Sequence, residues 1–203
     1  MFLSLALIIA TSLVYISLIR TFEKRAGLLK LSGALLWGGV SFYVALTVQN
    51  HFLHNLLIDQ TGIHLFSAPV LEELLKALPL LVFLRLTDRR TAVVYGFALG
   101  IGFALAESAY FLQHNPENVL GMALARVISI HLIHAVSTAL VGLLVNRWGR
   151  ALLLALLVHA AYNLLVLSLD GQMLVIGAGY AGVGSMIALM LLTPLAQQRR
   201  VSL

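Results

Sequence analysis

The sequence predicts an all-α fold, a polytopic membrane helix bundle of about seven transmembrane helices that forms a single domain over residues 1–203. Three observations predict this fold. Hydrophobic residues make up 61% of the chain and charged residues only 10%, whereas soluble domains average about 25% charged residues. The hydrophobic residues are gathered into runs that are long enough to cross a bilayer. The basic residues lie between these runs, on every second connector.

Each predicted helix is an apolar run close to the roughly 17–25 residues that span the hydrocarbon core. The first run lacks the basic n-region and the small-residue cleavage site of a signal peptide, so we interpret it as a retained helix. The fifth run is long and is expected to tilt or to extend beyond the bilayer. The runs cover residues 1–19, 31–50, 66–86, 91–113, 119–145, 151–169 and 173–194.

The connectors alternate between basic and non-basic along the chain. Residues 20–30, 85–90 and 147–150 and the C-terminal end carry Lys or Arg, whereas the connectors between them carry neither. Because basic connectors stay on the cytoplasmic side, the alternation predicts a multi-pass cell-membrane protein with its N-terminus outside and its C-terminus cytoplasmic. The net charge of +5 is therefore attributed to membrane orientation in the lipid bilayer, and nucleic acid is not expected as a partner.

Ionisable residues lie inside the predicted helices, where they are costly. A charged side chain near the bilayer centre costs about 2.5–3.5 kcal/mol, so five such groups cost on the order of 12–17 kcal/mol at most. That cost is comparable to the whole stability of a domain, about 5–15 kcal/mol. A cost of this size favours a functional role for these residues over a purely structural one. These residues are Glu72, Glu73, Lys76, Glu107, Arg126, His131, His134 and His159.

The polar residues of four helices are predicted to lie at overlapping depths. A rise of about 1.5 Å per residue places them in the outer half of the bilayer or near its midplane. Lys76 lies one helical turn from both Glu72 and Glu73, so it can neutralise either carboxylate. We therefore predict one shared site, with Glu107 as a possible ion-pair partner of Arg126. His131 is interpreted as a packing or hydrogen-bonding residue.

Four short motifs follow one another along the third to sixth predicted helices, over about residues 65–165. They are E-E-x-x-K at Glu72–Lys76, F-x-x-x-E at Phe103–Glu107, Arg126 with His134 and Gly142, and H-x-x-x-N at His159–Asn163. In content and order they resemble the PrsW family of intramembrane proteases, in the wider superfamily of CAAX proteases and bacteriocin-immunity proteins. Ser108 departs from the family pattern, which has asparagine after the glutamate.

The resemblance implies a membrane-embedded endopeptidase that cuts membrane-anchored protein substrates, such as anti-sigma-factor-like regulators. The chain has no cysteine and no convincing serine triad, so carboxylates and imidazoles are expected to activate water. The proposed catalytic residues are Glu72, Glu73, His134, His159 and Asn163, with Lys76, Glu107 and Arg126 in support. Glu72 is the expected principal base, and His159 with Asn163 the expected oxyanion donors.

Two mechanisms stay open at this point. We favour water activation by Glu72 and His134 without a tightly bound metal. The alternative is a zinc site formed by Glu72, His134 and His159, since zinc accepts two histidines and a carboxylate with an open fourth position. No H-E-x-x-H motif is present. The competing functions are a proton-coupled transporter or channel, which also uses buried ionisable residues, and a catalytically silent scaffold of the same fold.

Overall fold

The computed structural model describes residues 2–22, 27–51, 62–82, 88–115 and 119–168, together with Gly179 and Gly182. Within these ranges every element is helical, which confirms the all-α prediction. A π-helical turn, Ile63–Ser67, leads directly into α3, and a 3-10 turn, Val145–Arg147, leads into α7. The helices are α1 (Phe2–Phe22), α2 (Leu28–His51), α3 (Ala68–Val82), α4 (Arg89–His114), α5 (Val119–Ile128), α6 (Ile130–Leu143) and α7 (Trp148–Ser168).

Four segments of the described chain are long and apolar enough to cross a membrane: Leu28–His51, Arg89–His114, Leu120–Leu143 and Trp148–Ser168. They match the second, fourth, fifth and sixth predicted runs. In the first run, the apolar segment of α1 is shorter, Ser4–Ser17, and α3 in the third run has 15 residues. The seventh run, 173–194, lies outside the described residues except for Gly179 and Gly182. The count of seven spans therefore stays a prediction.

The fifth predicted run is two helices instead of one, because the regular helix is interrupted at Ser129. The Ser129 hydroxyl donates to the carbonyl of Ala125 over 2.7 Å. The Nδ1 atom of His131 lies 3.1 Å from the carbonyl oxygen of Arg126, to which it donates. Side chains thus bond to backbone carbonyls of the preceding turn, and such bonds destabilise and bend helices. The break separates Arg126 on α5 from His134 on α6.

Helix α4 lies at the centre of the bundle and is buried along residues 91–104. Its neighbours α2 and α6 approach it at glycines, as the small residues of this run predict. A Cβ at Gly102 would overlap the backbone of Leu35 on α2, and one at Gly100 would overlap the carbonyl of His134 on α6. Gly142 of α6 is equally close to the backbone of Ala92. These close contacts place α6, and therefore His134, directly beside α4, the helix that carries Glu107.

Candidate functional site

Helix α3 supplies two adjacent carboxylates and the lysine one turn later. The Nζ atom of Lys76 lies 2.6 Å from Oε1 of Glu73, and both side chains have 0% exposure. The spacing allows Lys76 to reach either glutamate, and the structure pairs it with Glu73. A fully buried ion pair needs further hydrogen bonds to offset the cost of removing both charges from water.

Those further bonds converge on the same oxygen of Glu73. The Ser137 hydroxyl of α6 donates to Oε1 over 2.9 Å, and Nδ1 of His159 on α7 lies 2.8 Å from it. Glu73 therefore joins three helices. Its other oxygen, Oε2, is buried and has no hydrogen-bond partner among the described residues.

His134 connects the lysine to a second carboxylate. Its Nδ1 lies 2.8 Å from Nζ of Lys76, and its Nε2 lies 2.7 Å from Oε2 of Glu107. Because an ammonium can only donate and a carboxylate accepts, the neutral ring carries its proton on Nε2. The Phe103 ring lies beneath this contact, 4.7 Å from Lys76 Nζ and 4.7 Å from the imidazole centroid.

Glu107 and Arg126 form the predicted ion pair, with 2.6 Å between Oε1 and Nη2. The Nε atom of Arg126 donates to the Ser108 hydroxyl over 3.1 Å. Ser108, the position that departs from the family motif, thus accepts from the arginine. This pair is more accessible than the α3 pair, since the Glu107 side chain is 25% exposed.

Glu72 faces a different set of groups from Glu73. Gln49 of α2 donates from Nε2 to Oε1 of Glu72 over 3.2 Å, and Nε2 of His159 lies 3.7 Å from its Oε2. Glu72, His134 and His159 each offer one ligand atom, and these atoms lie within 4.8 Å of one another. The four predicted motif helices therefore do bring their polar residues together.

The chemistry of this triad fits a divalent metal. Metal-binding histidines usually donate their second ring N–H to a carboxylate, which orients the ring and its free lone pair. Nδ1 of His159 is so placed on Glu73, and Nε2 of His134 on Glu107. Two imidazoles and a carboxylate with room for a water are a donor set that zinc accepts.

Two further predicted residues are Asn163 and His131. Asn163 is half-buried, one turn beyond His159 on α7, and its part in the site stays a prediction. His131 is fully buried and bonds to the carbonyl of Arg126, while its Nε2 has no partner among the described residues. This contact agrees with its interpretation as a hydrogen-bonding residue.

Two residues that touch the site, Gln49 and Ser137, were not predicted from the sequence. Ser137 follows His134 by three residues, so its helical spacing was an available signal. Gln49 belongs to no motif, and its only signal is that an amide stands near the end of an apolar run.

The comparisons with known proteins bear on this geometry. No curated protein and no solved structure matches the chain. A family model described as "PrsW family intramembrane metalloprotease" matches residues 27–193, far more than half of the chain and all of the residues that build the site. The chain belongs to the PrsW family of intramembrane metalloproteases.

Proposed function

We propose that this chain is an endopeptidase that hydrolyses peptide bonds of membrane-anchored proteins at a metal centre formed by Glu72, His134 and His159. The observation that carries the proposal is the pairing of the two histidines, each with one ring nitrogen on a carboxylate and the other near the shared centre. The residue types alone favoured a metal-free mechanism. The paired carboxylates and the metalloprotease family description favour the metal-dependent one.

A divalent ion such as zinc, when bound there, supplies a Lewis acid that activates water and polarises the substrate carbonyl. The chain's own residues must hold that centre together. Glu73 accepts a hydrogen bond from His159, and Glu107 accepts one from His134. Arg126 balances the negative charge of Glu107. Lys76 donates to Nδ1 of His134, so its ammonium must leave that nitrogen when a ligand takes the lone pair, while Glu73 remains its counter-ion.

Glu72 is the better candidate for accepting the proton of the attacking water, on the carboxylate oxygen that a bound metal would leave free. Its side chain is 15% exposed, whereas Glu73 is fully buried and its Oε1 is engaged by Lys76, Ser137 and His159. We therefore assign water activation to Glu72 and the organisation of the site to Glu73. Asn163, one turn from His159, is assigned as a hydrogen-bond donor to the oxyanion that forms on the peptide carbonyl.

The proposal is tested by co-expressing the protein with a panel of single-pass membrane proteins and then purifying enzyme and cleaved substrate. We expect cleavage to stop in chelator and to return with zinc. Glu72→Gln is the inactive control, and Thr47→Ala, an exposed change on α2, is the active one. Full activity in chelator, lost only with Glu72→Gln and His134→Ala, would replace the metal with direct water activation.

The substrate class and the orientation in the membrane belong to this proposal. Anti-sigma-factor-like regulators are proposed as substrates because they are membrane-anchored proteins, the class that the family resemblance implies. Reporter fusions after Arg90 and Arg150 should signal the cytoplasm, and a fusion at Asn115 the outside. A panel in which no protein is cleaved, with ion flux through the purified chain instead, would support the transporter alternative.

A further inference from the structure

Helix α2 carries none of the four motifs, yet it makes two polar contacts with the helix that carries the paired glutamates. The first is the hydrogen bond from Nε2 of Gln49 to Oε1 of Glu72, 3.2 Å long and partly buried. It engages one carboxylate oxygen from the α2 side. The other oxygen, Oε2, is the one nearer to His159.

The second contact compensates for a proline. Pro79 lies inside α3 and has no N–H, so it cannot donate to the carbonyl of Leu75 four residues earlier. The indole Nε1–H of Trp37 on α2 donates to that carbonyl oxygen over 3.0 Å. Trp37 thus supplies the hydrogen bond that α3 itself lacks at this position. The carbonyl belongs to the turn that contains Lys76.

We propose that Gln49 and Trp37 are positioning residues that hold the metal-binding turn of α3 from α2. Gln49 orients the Glu72 carboxylate, and Trp37 holds the proline-interrupted turn in register with α6 and α7. Neither residue touches the reacting atoms in this role. The inference rests on the proposed metal centre. It assigns to α2, which carries no motif, the positioning of the turn of α3 that holds Glu72.

The first test measures zinc affinity directly, by competition with a chromophoric chelator in detergent. Gln49→Leu keeps the volume of the side chain and removes the donor. Loss of a group that orients a metal ligand typically costs about 10–100-fold in affinity, and we expect a loss in that range. Thr47→Ala is the matched control, because the exposed Thr47 hydroxyl bonds to the Tyr43 carbonyl of its own helix; it should bind zinc as wild type does.

The second test is a double-mutant cycle between Trp37→Phe and Pro79→Ala. With alanine at position 79, the backbone N–H can donate to Leu75 again, so the indole donor becomes unnecessary. Trp37→Phe should therefore weaken zinc binding in the Pro79 background and have little effect in the Pro79→Ala background. Thermal unfolding of each metal-free variant separates this effect from a general loss of stability.

The outcomes distinguish a failure of the metal centre from a failure of the positioning roles of Gln49 and Trp37. A wild-type protein that binds no zinc overturns the metal centre itself, and this inference with it. A wild type that binds zinc, beside a Gln49→Leu variant that binds it equally tightly, overturns the role of Gln49 alone. Equal effects of Trp37→Phe in both backgrounds overturn the role of Trp37.

Discussion

Glu72 and Glu73 are adjacent in the sequence and chemically identical, but the fold places them in opposite surroundings. Glu73 is 0% exposed and is held by Lys76, Ser137 and His159. Glu72 is 15% exposed, with Gln49 and His159 beside it. Successive residues on a helix point about 100° apart, so one carboxylate enters the junction of α3, α6 and α7 while the other faces the accessible edge. These surroundings suit Glu73 to organising the site and Glu72 to the proposed chemistry.

The two carboxylates also differ in what their removal exposes. Glu73 neutralises a lysine that is itself fully buried, and a buried charge that loses its partner is strongly destabilising. Glu72 forms no ion pair with Lys76 in the structure, since the ammonium lies on Glu73 and His134. Changes at Glu72 should therefore affect reaction rate, and changes around Glu73 should affect folding.

The largest expected effect is on the rate of the Glu72→Gln variant. The change keeps the size of the side chain and removes a metal ligand and proton acceptor; a general base alone contributes about 10²–10⁴-fold. We expect a loss of cleavage in that range, measured on purified protein with a cleaved substrate, and unchanged thermal unfolding of the metal-free protein. Wild-type rates for this variant, with a large rate loss instead in a folded Glu73→Gln variant, would reverse the assignment of the two glutamates.

The next effect concerns the buried pair. Lys76→Met leaves the Glu73 carboxylate buried without its counter-ion, which typically costs about 3–5 kcal/mol of unfolding free energy. Denaturant unfolding in detergent measures this loss, and Lys30→Met, at an exposed position, is the control. Adding Glu73→Gln to Lys76→Met should recover most of the stability, because no unpaired charge remains. A double variant less stable than Lys76→Met would contradict the pairing.

Some features of the site could be predicted from the sequence, and others could not. Apolar runs predicted the four long apolar segments of the described chain. The cost of charge in a membrane pointed to Glu107, His134 and the α3 glutamates, whose side chains the structure brings together. Spacing could not assign Lys76 to one glutamate, because residues three and four apart on a helix are both within reach. That choice depends on Ser137 and His159, which arrive from other helices. Tertiary contacts of this kind leave no local pattern.

The break in the fifth run is a second feature that the sequence pattern did not predict. Residues 119–145 form one apolar run, and a serine within it is no strong helix breaker by propensity. The interruption at Ser129 accompanies side-chain bonds to the carbonyls of Ala125 and Arg126. Hydropathy predicts that a segment enters the membrane, but it is insensitive to hydrogen bonds of this kind.

A smaller effect is expected when Glu73 loses one of its donors. Ser137→Ala removes the hydroxyl that lies 2.9 Å from Oε1, and a hydrogen bond to a charged group contributes about 1.5–3 kcal/mol. The unfolding free energy should fall by less than for Lys76→Met. Ser41→Ala is the matched control, since that buried hydroxyl bonds to the Gly38 carbonyl of its own helix. Equal effects of the two serine variants would show that Glu73 does not depend on Ser137.

The smallest effect is expected at His131, which lies one turn before His134 on the same helix. Both rings are buried, but His134 contacts Lys76 and Glu107, whereas His131 bonds to the Arg126 carbonyl and leaves Nε2 without a described partner. His131→Asn can keep the donor to that carbonyl, so the change in unfolding free energy should be about 1 kcal/mol or less, the net worth of one hydrogen bond. Zinc affinity and cleavage rate should stay at wild-type levels, while His134→Asn should lose both. If His131→Asn abolished zinc binding in a folded protein, His131 would belong with the metal ligands and would not be a structural residue.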